Sequence, residues 1–120
     1  MNINPKDWAL LRKRVPGWQE AYMDKLNHSY IDMLSGDGKP SDKFWELRRR
    51  IRDDKRSIGV VIDMRRSMMH DNLCRLLFEG VITEADLEGF SDELRESVLR
   101  VMQSARQRME EDDPDEEGYS

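Results

Sequence analysis

Apolar residues in this chain recur every three to four positions, and no stretch alternates with period two for long enough to build a sheet. Caps, prolines and glycines punctuate that pattern at short intervals. The two signals together predict an all-α protein, a compact bundle of five or six helices joined by short loops.

The punctuation places the elements. Asn4 before Pro5 has the form of an N-cap followed by proline at the first helical position, with Asp7 in the first turn. Trp8, Leu11 and Val15 follow at helical spacing, and Pro16-Gly17 is expected to stop that helix. A second helix is expected over about 18–34, with Trp18, Tyr22, Leu26, Tyr30 and Met33 on one face and Met23, Ile31 and Leu34 widening it. After the loop Ser35-Gly36-Asp37-Gly38-Lys39-Pro40, Ser41 can cap a third helix with the apolar face Phe44, Leu47 and Ile51. The pattern breaks at Ser57-Ile58-Gly59, read as a kink or short connection, although 58–62 also fits a brief strand. A fourth helix from Val61 carries Met64, Met68, Leu73, Leu76 and Leu77 and ends at Gly80.

The sharpest local signal is Thr83 with Asp86 three residues on, flanked by Ile82 and Leu87. It has the form of a capping box with a hydrophobic staple. Gly89 closes that short helix, and Ser91 caps the last one, lined by Leu94, Val98, Val101, Met102, Ala105 and Met109. There is no internal repeat.

At 120 residues the chain suits one domain, expected over 1–109. Its net charge of -5 is unevenly laid out: 1–70 carry +5, 71–109 carry -3, and 110–120 carry -7 with no base. A like-charged block repels itself and buries little, so 110–120 is expected to be a disordered acidic tail. No apolar run approaches the roughly 18 residues a membrane span needs. The first residues, Met-Asn-Ile-Asn-Pro-Lys-Asp-Trp, lack the basic-then-apolar pattern of a secretory signal. Cys74 is the only cysteine, which excludes an internal disulfide and a cysteine-based zinc cluster. The expectation is a cytoplasmic protein with no membrane role.

Several groups of residues carry chemistry in principle. Gly36-Asp37-Gly38-Lys39 lacks the strand and first glycine of a phosphate-binding loop, and the alignment to a calcium loop puts Met33 at the first ligand position. An ordinary interhelical loop accounts for it. Asp24, His28 and Asp32 form one stripe at four-residue spacing, suited to metal ligation or to ordinary helix-surface pairing. His70 and Cys74, also four apart, could serve as ligands or as a base and thiol, but an isolated cysteine usually behaves as a small hydrophobe. No catalytic constellation, metal site or cofactor loop is assembled, so a non-enzyme without cofactor is expected.

The third helix is basic. Arg48, Arg49, Arg52 and Arg56, with Arg65 and Arg66 beyond it, supply positive charge, and Trp45 offers a ring on which Arg48 or Arg49 can stack. Such a surface can contact nucleic-acid phosphates or a protein partner. It can equally be a solvated, self-paired face: Glu46 is placed to pair with Arg49 and Arg50, Arg49 with Asp53, and Arg50 with Asp54. Of the eight methionines, Met64, Met68, Met69, Met102 and Met109 either fill core gaps or form an adaptable docking face.

The stretch Leu76-Leu77-Phe78-Glu79-Gly80-Val81-Ile82-Thr83-Glu84-Ala85-Asp86-Leu87 resembles the helix–Gly-Ile-Thr–helix element of SHOCT-type short C-terminal domains. That likeness implies oligomerisation. It departs at Gly89-Phe90-Ser91, where a helix restarts. Three further segments, Val15-Pro16-Gly17-Trp18-Gln19-Glu20-Ala21-Tyr22, Ser41-Asp42-Lys43-Phe44-Trp45-Glu46-Leu47 and Phe90-Ser91-Asp92-Glu93-Leu94, resemble a group of small uncharacterised proteins of Gram-positive bacteria. The group supplies no activity and no site residues. The reading that follows is a small helical interaction protein, self-associating or docking on a protein partner. The alternative is a nucleic-acid-associated regulator or accessory protein using 43–66.

Overall fold

Asn4 starts the first helix as its sequence demands: its side-chain oxygen accepts the Lys6 N–H at 2.9 Å, and Pro5 follows at the first helical position. The computed structural model describes residues 3–111. They contain α1 (Pro5–Ser35), α2 (Pro40–Asp54), α3 (Met69–Phe78) and α4 (Asp92–Glu111), with single 3-10 turns at Arg66–Met68 and Glu84–Leu87. The all-α expectation holds, with four α-helices in place of five or six and no strand among the described residues.

The largest correction is at Pro16, which does not end a helix. The first two expected helices are one, 31 residues long and about 46 Å from end to end. Proline removes one amide donor and strands the carbonyl four residues earlier. Here both Arg12 and Pro16 lie on the exposed side, where water can serve that carbonyl. Leu11 and Val15, about 100° round the helix, are buried in the core and offset the loss.

Other boundaries move for local reasons. α2 begins with Pro40 after Lys39, with no side-chain cap, so Ser41 lies inside the helix and does not cap it. α3 begins at Met69 rather than at Val61, because 55–65 are held outside any helix by side-chain contacts. The Ile58 N–H donates to Glu79 Oε1 at 3.1 Å, and its carbonyl accepts from Gln19 Nε2 at 3.3 Å. Asn72 Nδ2 donates to the Asp63 carbonyl at 2.7 Å, tying the same segment to α3. The expected short helix is the 3-10 turn Glu84–Leu87. α4 runs on through Glu110 and Glu111, past the boundary expected at Met109, and the remaining acidic residues lie outside those described.

The core is built from the first half of α1 (Leu11, Val15), Ile58, α3 (Met69, Leu73, Leu76, Leu77), the turn residues Ile82, Leu87 and Phe90, and α4 (Leu94, Val98, Met102). Two polar ties lock it. Arg14 Nη1 donates to the carbonyls of Asp86 and Glu88, at 3.1 and 2.5 Å, while its guanidinium lies 5.5 Å over the Phe90 ring. Asp7 and Ser91 form the second, and Ser91 caps α4 as expected, its hydroxyl accepting the Leu94 N–H at 3.3 Å.

The second half of α1 and all of α2 stand outside that core as a helical hairpin. The radius of gyration is 17.8 Å with extents of 54 × 46 × 22 Å, against about 13 Å for a compact chain of this size. The molecule is a small core carrying an arm.

Candidate functional site

The arm is held together by few contacts. Tyr30 of α1 donates its hydroxyl to Asp54 Oδ2 of α2 at 2.5 Å. Partial burial first, then that carboxylate, push the Tyr30 phenol up to about 12. At the base of the arm, Tyr22 lies flat against Gly59, leaving no room for a side chain there. No residue of α2 is buried. Phe44 is 63% exposed and Trp45 59%, the two rings meeting edge to face at 5.1 Å. Ile51 of α2 and Ile31 and Leu34 of α1 are also exposed. Of the expected apolar face Phe44, Leu47 and Ile51, only Leu47 is half-buried, and α2 packs mainly on α1.

The basic side chains divide into two kinds. Glu46 takes Arg49 through Nη2 at 2.6 Å and Arg50 through Nε at 3.0 Å, and these bonds hold its carboxyl down near 2. Arg49 also reaches Asp53 at 3.5 Å, and Arg52 lies 3.6 Å from the same residue. Arg65 pairs with Asp63 at 2.6 Å. The expected Arg50–Asp54 pair does not form, since Asp54 is taken by Tyr30. Arg48 instead sits 5.8 Å over the Trp45 ring. Among the described residues no carboxylate lies within 4 Å of Arg48, Arg56 or Arg66. Trp45, Arg48, Arg49 and Arg52 therefore share α2, Arg56 follows it, and Arg65 and Arg66 belong to the approach to α3.

The other sequence candidates stay apart from this arm surface or stay inert. His28 Nδ1 donates to the Asp24 carbonyl at 2.8 Å, and that bond, with the Asp24 carboxylate at 3.7 Å, raises the imidazole above its ordinary value. Both side chains are open to solvent, and no metal-binding group of three His, Cys, Asp or Glu occurs among the described residues. Cys74 Sγ lies 3.8 Å from His70 Nδ1, while His70 Nε2 bonds to Ser97 Oγ at 2.8 Å. Burial, then Asp71, push the thiol up to about 11, the wrong direction for a nucleophile. Met69 and Met102 are core, whereas Met109 is exposed.

No helix among the described residues is long and apolar enough to cross a membrane. Comparison with family models, curated proteins and solved structures found no match.

Proposed function

We propose that this protein is a non-enzymatic helical interaction module of the cytoplasm that self-associates or docks on a protein partner through the arm formed by α1 and α2. The supporting observation is that no residue of α2 is fully buried while Phe44, Trp45, Ile51, Ile31 and Leu34 remain exposed. A two-helix hairpin with free apolar side chains is half of a four-helix arrangement, and covering it removes that apolar surface from water. Aromatic anchors flanked by arginine also match the composition of protein interfaces. A double variant, Phe44→Ser with Trp45→Ser, tests the reading because both side chains lie outside the core. The wild type is expected to form an oligomer in light scattering across concentration, or to retain a nuclease-resistant protein from its native cell. The double variant is expected to lose that association while keeping its fold. A monomer whose captured proteins are unchanged by the two substitutions would overturn the reading.

A second reading, nucleic-acid binding, is favoured by Arg48 stacked on Trp45 and by Arg56, neither with a carboxylate partner within 4 Å among the described residues. Arg49 and Arg52 are engaged within α2, which lowers the number of phosphates this surface would meet. With Arg48, Arg56 and Arg66 of 43–66 free of carboxylates among the described residues, the log–log salt slope should be about -3. Titration of duplex and single-stranded DNA and RNA at low salt separates the readings. Binding weaker than about 100 μM for all of them excludes this one.

A further inference from the structure

A cavity of about 530 Å³ opens where the first turns of α1, α3 and α4 meet, away from the exposed aromatic side chains of the arm. That volume falls within the range of small-ligand pockets, about 300–1,000 Å³. Its polar lining includes Arg66 and Ser67 from the 3-10 turn, His70 from α3, and Ser97 and Arg100 from α4. Ile3, Met69 and Leu94 give it an apolar wall.

The charges of this lining are unevenly committed. Both oxygens of the buried Asp7 carboxylate are taken by Ser91, through its N–H at 2.8 Å and its hydroxyl at 2.6 Å. Glu93 is the other carboxylate of the lining, and it lies in the first turn of α4, whose N-terminus stabilises its charge. Arg66 and Arg100, by contrast, have no carboxylate within 4 Å among the described residues. Arg49, Arg50, Arg65, Arg75 and Arg95 each have at least one. His70 is oriented by its bond to Ser97, which fixes the ring against one side of the same space.

We propose that this cavity binds a small organic oxyanion, with Arg66 and Arg100 gripping a phosphate or carboxylate head and Ile3, Met69 and Leu94 covering an apolar body. Guanidinium forks match either head group, and the wall rewards a ligand larger than the bare ion. This site is independent of the arm's proposed role.

The test is an amide-resolved NMR titration of the full chain with phenyl phosphate and with benzoate, using inorganic phosphate and phenol as half-ligand probes. At least one organic anion is expected to give saturable shifts confined to 66–70 and 91–100. Inorganic phosphate and phenol should each bind about tenfold more weakly, having only one of the two kinds of contact. The double variant Arg66→Ala with Arg100→Ala changes two exposed side chains and should keep the wild-type spectrum elsewhere while losing about tenfold or more in affinity. Arg48→Ala with Arg56→Ala should bind as wild type does. Saturation by one head group and not the other assigns the head; saturation by both leaves the oxyanion class standing. Absence of saturable shifts there, unchanged binding by the Arg66/Arg100 variant, or equal affinity for inorganic phosphate would each overturn the proposal.

Discussion

Asp7 and Ser91, eighty-four residues apart in sequence, share two hydrogen bonds through both oxygens of a carboxylate that is only 3% exposed. The contact joins the first turn of α1 to the residue that caps α4, so one side chain positions the ends of two helices. Ser91→Ala leaves a buried charge with one donor fewer and should cost about 1–3 kcal/mol in urea melts. Asp7→Ala orphans the Ser91 N–H and should cost a similar amount, about 1–3 kcal/mol. The double variant should lose less than the sum by about 1 kcal/mol or more, and strict additivity would show that the two do not act as a unit.

Gly59 meets a different constraint. A Cβ placed there would stand 2.3 Å from the Tyr22 ring, near its attachment rather than its free end. Gly59→Ala should therefore destabilise by about 1–3 kcal/mol through forced displacement of the ring. Adding Tyr22→Ala should make the pair less costly than the two single changes combined. Gly80 supplies the contrast: its φ of +76° is strained for other residues, yet nothing crowds it, so Gly80→Ala should cost about 1 kcal/mol with no such coupling.

In the turn after α3, the carboxylate does more than the threonine. Asp86 Oδ2 accepts the Thr83 N–H at 2.8 Å and its hydroxyl at 3.2 Å. Asp86→Ala should cost about 1–2 kcal/mol and Thr83→Ala less than about 1 kcal/mol, measured as shifts in denaturant midpoint. The reverse order would mean that the hydroxyl is the principal cap.

Cys74 should behave as a core side chain under alkylation. Its thiol is held up near 11 against an ordinary 9.0, which leaves on the order of 100-fold less thiolate at pH 8. The rate with iodoacetamide should keep rising beyond pH 9 and become ordinary in urea. A plateau below pH 9 would mean that His70 stabilises the thiolate. Because the protonated form is the one the fold favours, the stability this group contributes is whole below pH 9. It is lost as pH rises toward 11.

Sequence-local chemistry was legible at several places where partners lie within a few residues, although the expected Ser41 cap and Arg50–Asp54 pair do not form. Asn4 with Pro5, Ser91 with Leu94, Asp86 with Thr83, and Glu46 with Arg49 and Arg50 could all be placed from spacing alone. Pro16 misled because the rule for proline is local, whereas the decision to continue the helix depends on which side faces solvent. The apolar face of α2 was visible as a pattern, but a pattern does not say whether a partner exists to cover it. Arg14, which grips Asp86 and Glu88, gave no signal, and neither did the Asp7–Ser91 tie or the Arg66–Arg100 cavity. Each joins elements far apart along the chain.

α1 serves two environments with one continuous rod: its first half is anchored in the core and its second half is a strut in solvent. Changes beyond Tyr22 alter the surface of the arm without unpacking Leu11 or Val15. Inserting a single residue in that half would turn the remaining turns of α1 by about 100° around its axis, while Ile58 stays tied to Gln19 and Glu79 in the core. On the role proposed for the arm, such an insertion would re-phase Ile31 and Leu34 toward a different side without replacing either of them.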